Sequence, residues 1–226
     1  MKTLLLPMLA VVMGLSACAG GGPDVMRSDR SQMTLASQGR AEGPGVAAQQ
    51  VLAAQYDVED IRISVPSKLK VSEANVFYPV ADIVWRGEPA GNRHAQVMSI
   101  FKEAMDRGTY TMNTGRKVLV DVEVTRFHSV TEKTRYTVGG THSMRFTLTV
   151  RDAATGAVID GPRLVAADAK AAGGAQAVAE EQMGRTQRVV VVERLASAIR
   201  AELSTQVTDP MLVAQALSQR AVVMVR

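Results

Sequence analysis

The chain has 226 residues, 46% of them hydrophobic and 21% charged, which suits one ordinary globular domain with additional segments. Its formal net charge is +4, but basic and acidic residues are interleaved, and the absence of any run of about five like charges argues against a nucleic-acid-binding arm. A single cysteine excludes an intramolecular disulfide and a cysteine metal cluster. With 4% aromatic residues, the core must be built from Val, Leu, Ile, Met and Ala.

Residues 1–17 read as a signal peptide. Lys2 supplies the positive end, Leu4 to Met13 the apolar stretch, and Gly14 to Ala17 the small-residue region. The apolar stretch is too short to cross roughly 30 Å of hydrocarbon as a helix. Leu15-Ser16-Ala17-Cys18 resembles the lipobox of bacterial lipoproteins. The resemblance implies that the Cys18 thiol receives a diacylglyceryl group, that cleavage falls just before it, and that the new amine is acylated. Two or more acyl chains anchor stably where one is marginal. An ordinary signal cut after Ala17-Cys18-Ala19 is the alternative. By the same resemblance, Ala19 in place of aspartate points to the outer membrane, facing the periplasm, rather than to the inner one.

Residues 18–55 read as a flexible lipidated tether, punctuated by Gly20 to Gly22, Gly39, Gly43 and Gly45 and by Pro23 and Pro44. Such a coil has an r.m.s. reach of roughly 33 Å. A short helix over Val46 to Tyr56 is a further expectation.

The folded domain is expected over residues 56–206. Ile61, Ile63 and Val65 alternate with polar residues as a strand does, and Pro66 ends it. The stretch from Val76 to Val84 reads as extended. Asn92 is placed as an N-cap, with Val97, Ile100, Phe101, Ala104 and Met105 on one helical face and Gly108 as the stop. Val118, Val120, Val122 and Val124 form the apolar side of the clearest strand. Met144, Phe146, Leu148 and Val150 repeat the pattern, and a turn at Thr155-Gly156 leads to a third strand running to about Ala167, broken or bulged at Gly161-Pro162. Residues 169–183, rich in Ala and Gly, read as mobile. A second amphipathic helix covers 186–204, with Val189, Val192, Leu195, Ala196, Ile199 and Leu203 as its buried stripe, and residues 207–226 are a C-terminal extension. The expected fold class is α+β: an antiparallel sheet with two main helices packed on one face, preceded by the lipidated tether.

With the lipobox, the valine strand, the Thr155-Gly156 hairpin and the last amphipathic helix, the chain resembles an uncharacterised lipoprotein family of alphaproteobacteria. More distantly it is similar to small periplasmic lipoproteins with a strand–helix–strands–helix layer. The resemblance covers about residues 58–205. It implies a role in the cell envelope and supplies no catalytic residues.

The chemistry-bearing residues form no decisive pattern. His128 and His142 are placed as cross-strand neighbours that Glu132 joins as a weak zinc set, yet a structural zinc site has four protein ligands and a catalytic one three. Asp121 and Glu123 share a strand face, where such carboxylates are usually solvated. No Gly-x-Ser-x-Gly elbow is present. Arg126, Arg135, Arg145 and Arg151 form a basic stripe without aromatic neighbours for base stacking, against nucleic-acid binding. Neither an enzymatic activity nor a cofactor is expected. The expected function is that of a membrane-anchored, non-enzymatic envelope accessory acting through a protein partner, with Arg135 and Tyr136 as its contact surface. A carrier or sensor of a small or lipidic ligand is the alternative.

Overall fold

The computed structural model describes residues 51–207. The signal peptide, Cys18, almost all of the expected tether and most of the C-terminal extension lie outside the described residues. In chain order the elements are β1 (Val51–Ala54), β2 (Tyr56–Ser64), β3 (Ile83–Val84), α1 (Arg93–Thr109), β4 (Arg116–His128), α2 (Glu132–Arg135), β5 (Gly140–Asp152), β6 (Val158–Ala166), β7 (Ala169–Ala171), α3 (Gly174–Gln182), α4 (Gln187–Glu202) and β8 (Ser204–Val207).

The two patterned strands, β4 and β5, form the central antiparallel hairpin, each 13 residues long. Val118, Val120, Val122 and Val124 are buried, as are Met144, Phe146, Leu148 and Val150. They share one hydrophobic cluster with Ile100, Phe101 and Met105 of α1 and Val191, Leu195 and Ile199 of α4. A bulge separates Val124, paired with Phe146, from Arg126, paired with Arg145. The extra residue, Thr125, reverses the alternation, so that Phe127 rather than an even-numbered residue enters the core.

The larger sheet is mixed, not antiparallel as expected. Its order is β2-β4-β5-β6, with β3 beside β4 beyond the end of β2, and β7 beside β5 beyond the end of β6. β2 and β3 both run parallel to β4. The cause is the connection: a strand that leaves through a long segment containing a helix returns parallel, whereas a tight turn returns antiparallel. Residues 65–115, with α1 among them, separate β2 from β4, while a short turn joins β5 to β6. In that turn the Asp152 carboxylate accepts from the backbone of Ala154 (3.1 Å) and Thr155 (2.9 Å). At Gly161-Pro162 the register of β6 against β5 shifts, and Gly161 has φ +85° where a β-carbon would collide with the Leu148 carbonyl oxygen, so of the expected bulge or break it is a bulge.

Three local expectations are corrected. Val51–Ala54, expected within the tether and within a short helix, is strand β1, paired antiparallel with β8; isolated helices of that length are marginal, and a pairing partner decides the outcome. Residues 169–183, expected to be mobile, hold β7 and α3, whose Ala177 is fully buried. Gly108 does not stop α1, which runs on to Thr109; it is where α4 crosses.

A β-carbon at Gly108 would collide with the Ile199 side chain and stand 2.9 Å from the Ala196 carbonyl oxygen. The α4 stripe is rotated to suit: Val190, Val191 and Ala198 are buried, while Val189 and Ala196 are half-buried. Gly108→Ala is therefore expected to lower stability by about 1–3 kcal/mol, because the contact is backbone as well as side chain. A denaturant titration checks this, and an unchanged midpoint would refute the close crossing.

Candidate functional site

The end of the sheet at which β4 hands over to β5 is built differently from the rest. β4 leaves the core at His128, α2 makes a single turn, and β5 returns at Gly140. Thr131 caps α2 by accepting from the Thr134 amide at 3.2 Å. On one side of α2 lies the loop that connects β2 to β3. Thr131 Oγ1 donates to the Val76 carbonyl (2.8 Å), Thr134 Oγ1 donates to the Phe77 carbonyl (2.9 Å), and the Lys133 amide donates to Asn75 Oδ1 (2.8 Å). His128 Nε2 bonds the Pro79 carbonyl at 2.9 Å and its ring stacks on Tyr78 at 4.9 Å. The loop is pinned along its backbone, yet Val76, Phe77, Tyr78 and Val80 are all exposed.

On the other side of α2 lies α3. The Tyr136 hydroxyl donates to Glu181 Oε2 at 3.0 Å; burial and that carboxylate hold the phenol above its usual range. Arg135 reaches the Ala177 carbonyl at 3.5 Å and Glu181 at 3.7 Å. Val138, Val178 and Met183 are exposed on this side.

Beneath α2 is a buried polar cluster. Ser129 Oγ donates to Gln187 Oε1 (2.9 Å) at the start of α4 and lies 2.7 Å from His142 Nδ1. A hydroxyl has one proton, so with Ser129 donating to Gln187, His142 must donate through Nδ1. His142 is thus not placed to take the serine proton, as a nucleophile's base does. Its Nε2 is buried without a partner. Burial, and secondarily the Arg135 charge, depress the imidazole pKa to about 4.

Of the residues singled out in the sequence, Arg135 is 3% exposed and lies inside the structure, whereas Tyr136 is 47% exposed. The guanidinium belongs to the support of the surface and the phenol to the surface itself. His128 and His142 are not a cross-strand pair: His128 faces Ser143, and His142 faces Ala169 of β7. Glu132 pairs with Arg86 at 2.7 Å, and that hydrogen bond lowers its pKa. Among the described residues no group of three or more His, Cys, Asp or Glu side chains is arranged to hold a metal ion. Asp121 lies on the open face of the sheet between Arg62 and Arg151, at 2.6 Å from each, and lines with Glu123 a groove of about 530 Å³. Arg126 and Arg145 face one another across β4 and β5 on that same side. Among the described residues no helix is long and apolar enough to cross a membrane.

Sequence reasoning missed residues 76–80. The signal was present: Val76-Phe77-Tyr78 is apolar without alternation and runs into Pro79, whereas a half-buried strand alternates.

A comparison with curated proteins finds no match. Among solved structures, a "putative lipoprotein" from Caulobacter crescentus CB15 is similar at 18% identity and a TM-score of 0.26, over 46% of this chain and 78% of that one. Residues 56–219, most of the chain and nearly the whole of the described domain, match the family of unknown function DUF6778, and the chain belongs to that family.

Proposed function

We propose that the chain is a membrane-anchored bacterial lipoprotein, held through acyl chains on Cys18 and a tether that ends where β1 begins at Val51. It acts without catalysis, as an accessory of envelope assembly or maintenance, through a protein partner. The observation that carries the reading is the pairing of a filled interior with a supported apolar surface. Trp85, Phe101, Phe127 and Phe146 are fully buried and pack edge to face or tilted, with centroids 5.5–6.2 Å apart, behind the valine face. A carrier of a small or lipidic ligand needs a cavity there. The contact surface is the α3 side of α2: Tyr136, Val138, Val178 and Met183. An outer-membrane location facing the periplasm follows from Ala19.

The test has two arms. Cys18→Ser is expected to leave an unprocessed or soluble species without acyl label, and retention of the label would refute the anchor. A photo-crosslinking residue at Met183 is expected to capture one protein of defined mass in native envelopes. The capture should be lost with Tyr136→Ala and Val138→Ala while the melting temperature stays within about 2 °C, since exposed substitutions cost little. No captured protein, or capture indifferent to both substitutions, removes this surface from the proposal.

A further inference from the structure

The loop on the opposite side of α2 ends in a tip that the described residues leave uncovered. Val80 is 97% exposed and Tyr78 71%, with Phe77 and Val76 about half exposed. The tip projects from a backbone held by Thr131, Thr134, Lys133 and His128, so its apolar side chains are presented in a fixed arrangement. Around it stand cations. Lys70 and Arg126 line a groove of about 380 Å³ together with Tyr78 and Val80. Arg126 also donates to the Tyr78 hydroxyl at 3.3 Å, and the Lys133 ammonium stands 4.6 Å above the Phe77 ring. Arg145 is the cross-strand neighbour of Arg126. Among the described residues none of these four cations has an ion-pair partner, whereas the nearby acids are engaged: Glu132 by Arg86, Glu73 by Arg86 and Arg93, and Asp82 by the Lys70 amide at 2.9 Å.

We infer that this tip enters the headgroup region of an anionic bilayer. Aromatic side chains with a polar end, such as Tyr78, favour the boundary between headgroups and acyl chains. The collar of unpaired cations supplies the charge complement, each basic residue near an anionic surface strengthening binding about fivefold. The inference rests on the membrane location proposed above for its setting, but the contact itself requires no acyl chain, so the two are tested separately.

The experiment uses the full chain with Cys18→Ser, so that Val80→Cys is the only thiol, labelled with an environment-sensitive fluorophore. It is mixed with vesicles of equal parts phosphatidylcholine and phosphatidylglycerol, and with vesicles of phosphatidylcholine alone. The label at position 80 is expected to shift to an apolar emission on the anionic vesicles only. The same label at Lys102→Cys on α1 should remain in water. Arg126→Gln and Lys133→Gln should each lower the partition reported at position 80 about fivefold. Emission unchanged on anionic vesicles overturns the inference. So does an equal shift on both vesicle types, and so does a tip that stays in water on vesicles but crosslinks to a protein in native envelopes. Because the readout is local and the anchor is absent, failure of the lipidation at Cys18 leaves these outcomes unaffected.

Discussion

Val120→Asp is expected to destabilise the domain severely and to lower its melting temperature sharply. Val120 is fully buried, stands between Ile61 of β2 and Val150 of β5, and belongs to the cluster that α1 and α4 close. A carboxylate there finds neither water nor a cation, and an unpaired buried charge costs about 4 kcal/mol or more. That is a large share of the 5–15 kcal/mol by which a domain is stable. The neighbouring position sharpens the argument. Asp121 is native one residue further on, but on the open face, where Arg62 and Arg151 hold it. The same side chain is thus stabilising or disruptive according to strand parity alone. Far-UV circular dichroism with thermal unfolding checks this, and a variant that melts with the wild type would mean that the valine face is not the core face.

That parity was legible in the sequence because β4 and β5 are long and half-buried, and β4 alternates without a break from Val118 to Val124, ahead of its bulge. The two main helices were legible for a similar reason, and the Asn92 N-cap is as read, its side chain accepting from the Ala95 amide at 3.1 Å; Thr186, read as the first residue of the second helix, is its cap, accepting from the Val189 amide at 3.4 Å. What escaped was set by partners distant in sequence. The parallel course of β2 depends on the path of the crossover and not on the residues of β2. β1 exists through pairing with β8, some 150 residues away. Gly108 carries no local mark that separates a helix stop from a helix crossing; only Ile199 and Ala196 decide it.

The candidate surface was half legible. The segment between His128 and His142 was identified as special, but residue type alone assigned Arg135 and Tyr136 to the same role. The arginine turns inward towards α3, and the tyrosine keeps about half its area in solvent. The partner of this segment, residues 75–80, lies more than fifty positions earlier and meets it through backbone carbonyls, which leave no trace in side-chain patterns.

Acidification is expected to weaken the domain through His142 before it does so through the carboxylates. In the folded state Nδ1 donates to Ser129, so a second proton must go onto Nε2, which is buried without an acceptor and lies close enough to feel the Arg135 charge. The folded pKa is thereby depressed from 6.5 to about 4. The unfolded chain takes up the proton first. Stability is unaffected well above pH 6.5, falls as the pH drops from there towards about 4, and levels off below, where both states are protonated. A depression of this size corresponds to about 3 kcal/mol across that window. Asp152 acts in a lower one: the Arg116 hydrogen bond, helped by those from Thr155, depresses its pKa from 3.8 to about 2, so its contribution is lost only as the pH falls through that range. The two are separated by His142→Asn, whose amide keeps a donor towards Ser129 and cannot titrate. Urea titrations at intervals between pH 7.5 and 3 should show a slope for the wild type between 6.5 and 4 that the variant lacks, with the loss below 4 common to both. Parallel profiles for the two proteins across the upper window would place the acid sensitivity elsewhere and show that the cluster beneath α2 accommodates a charged imidazole.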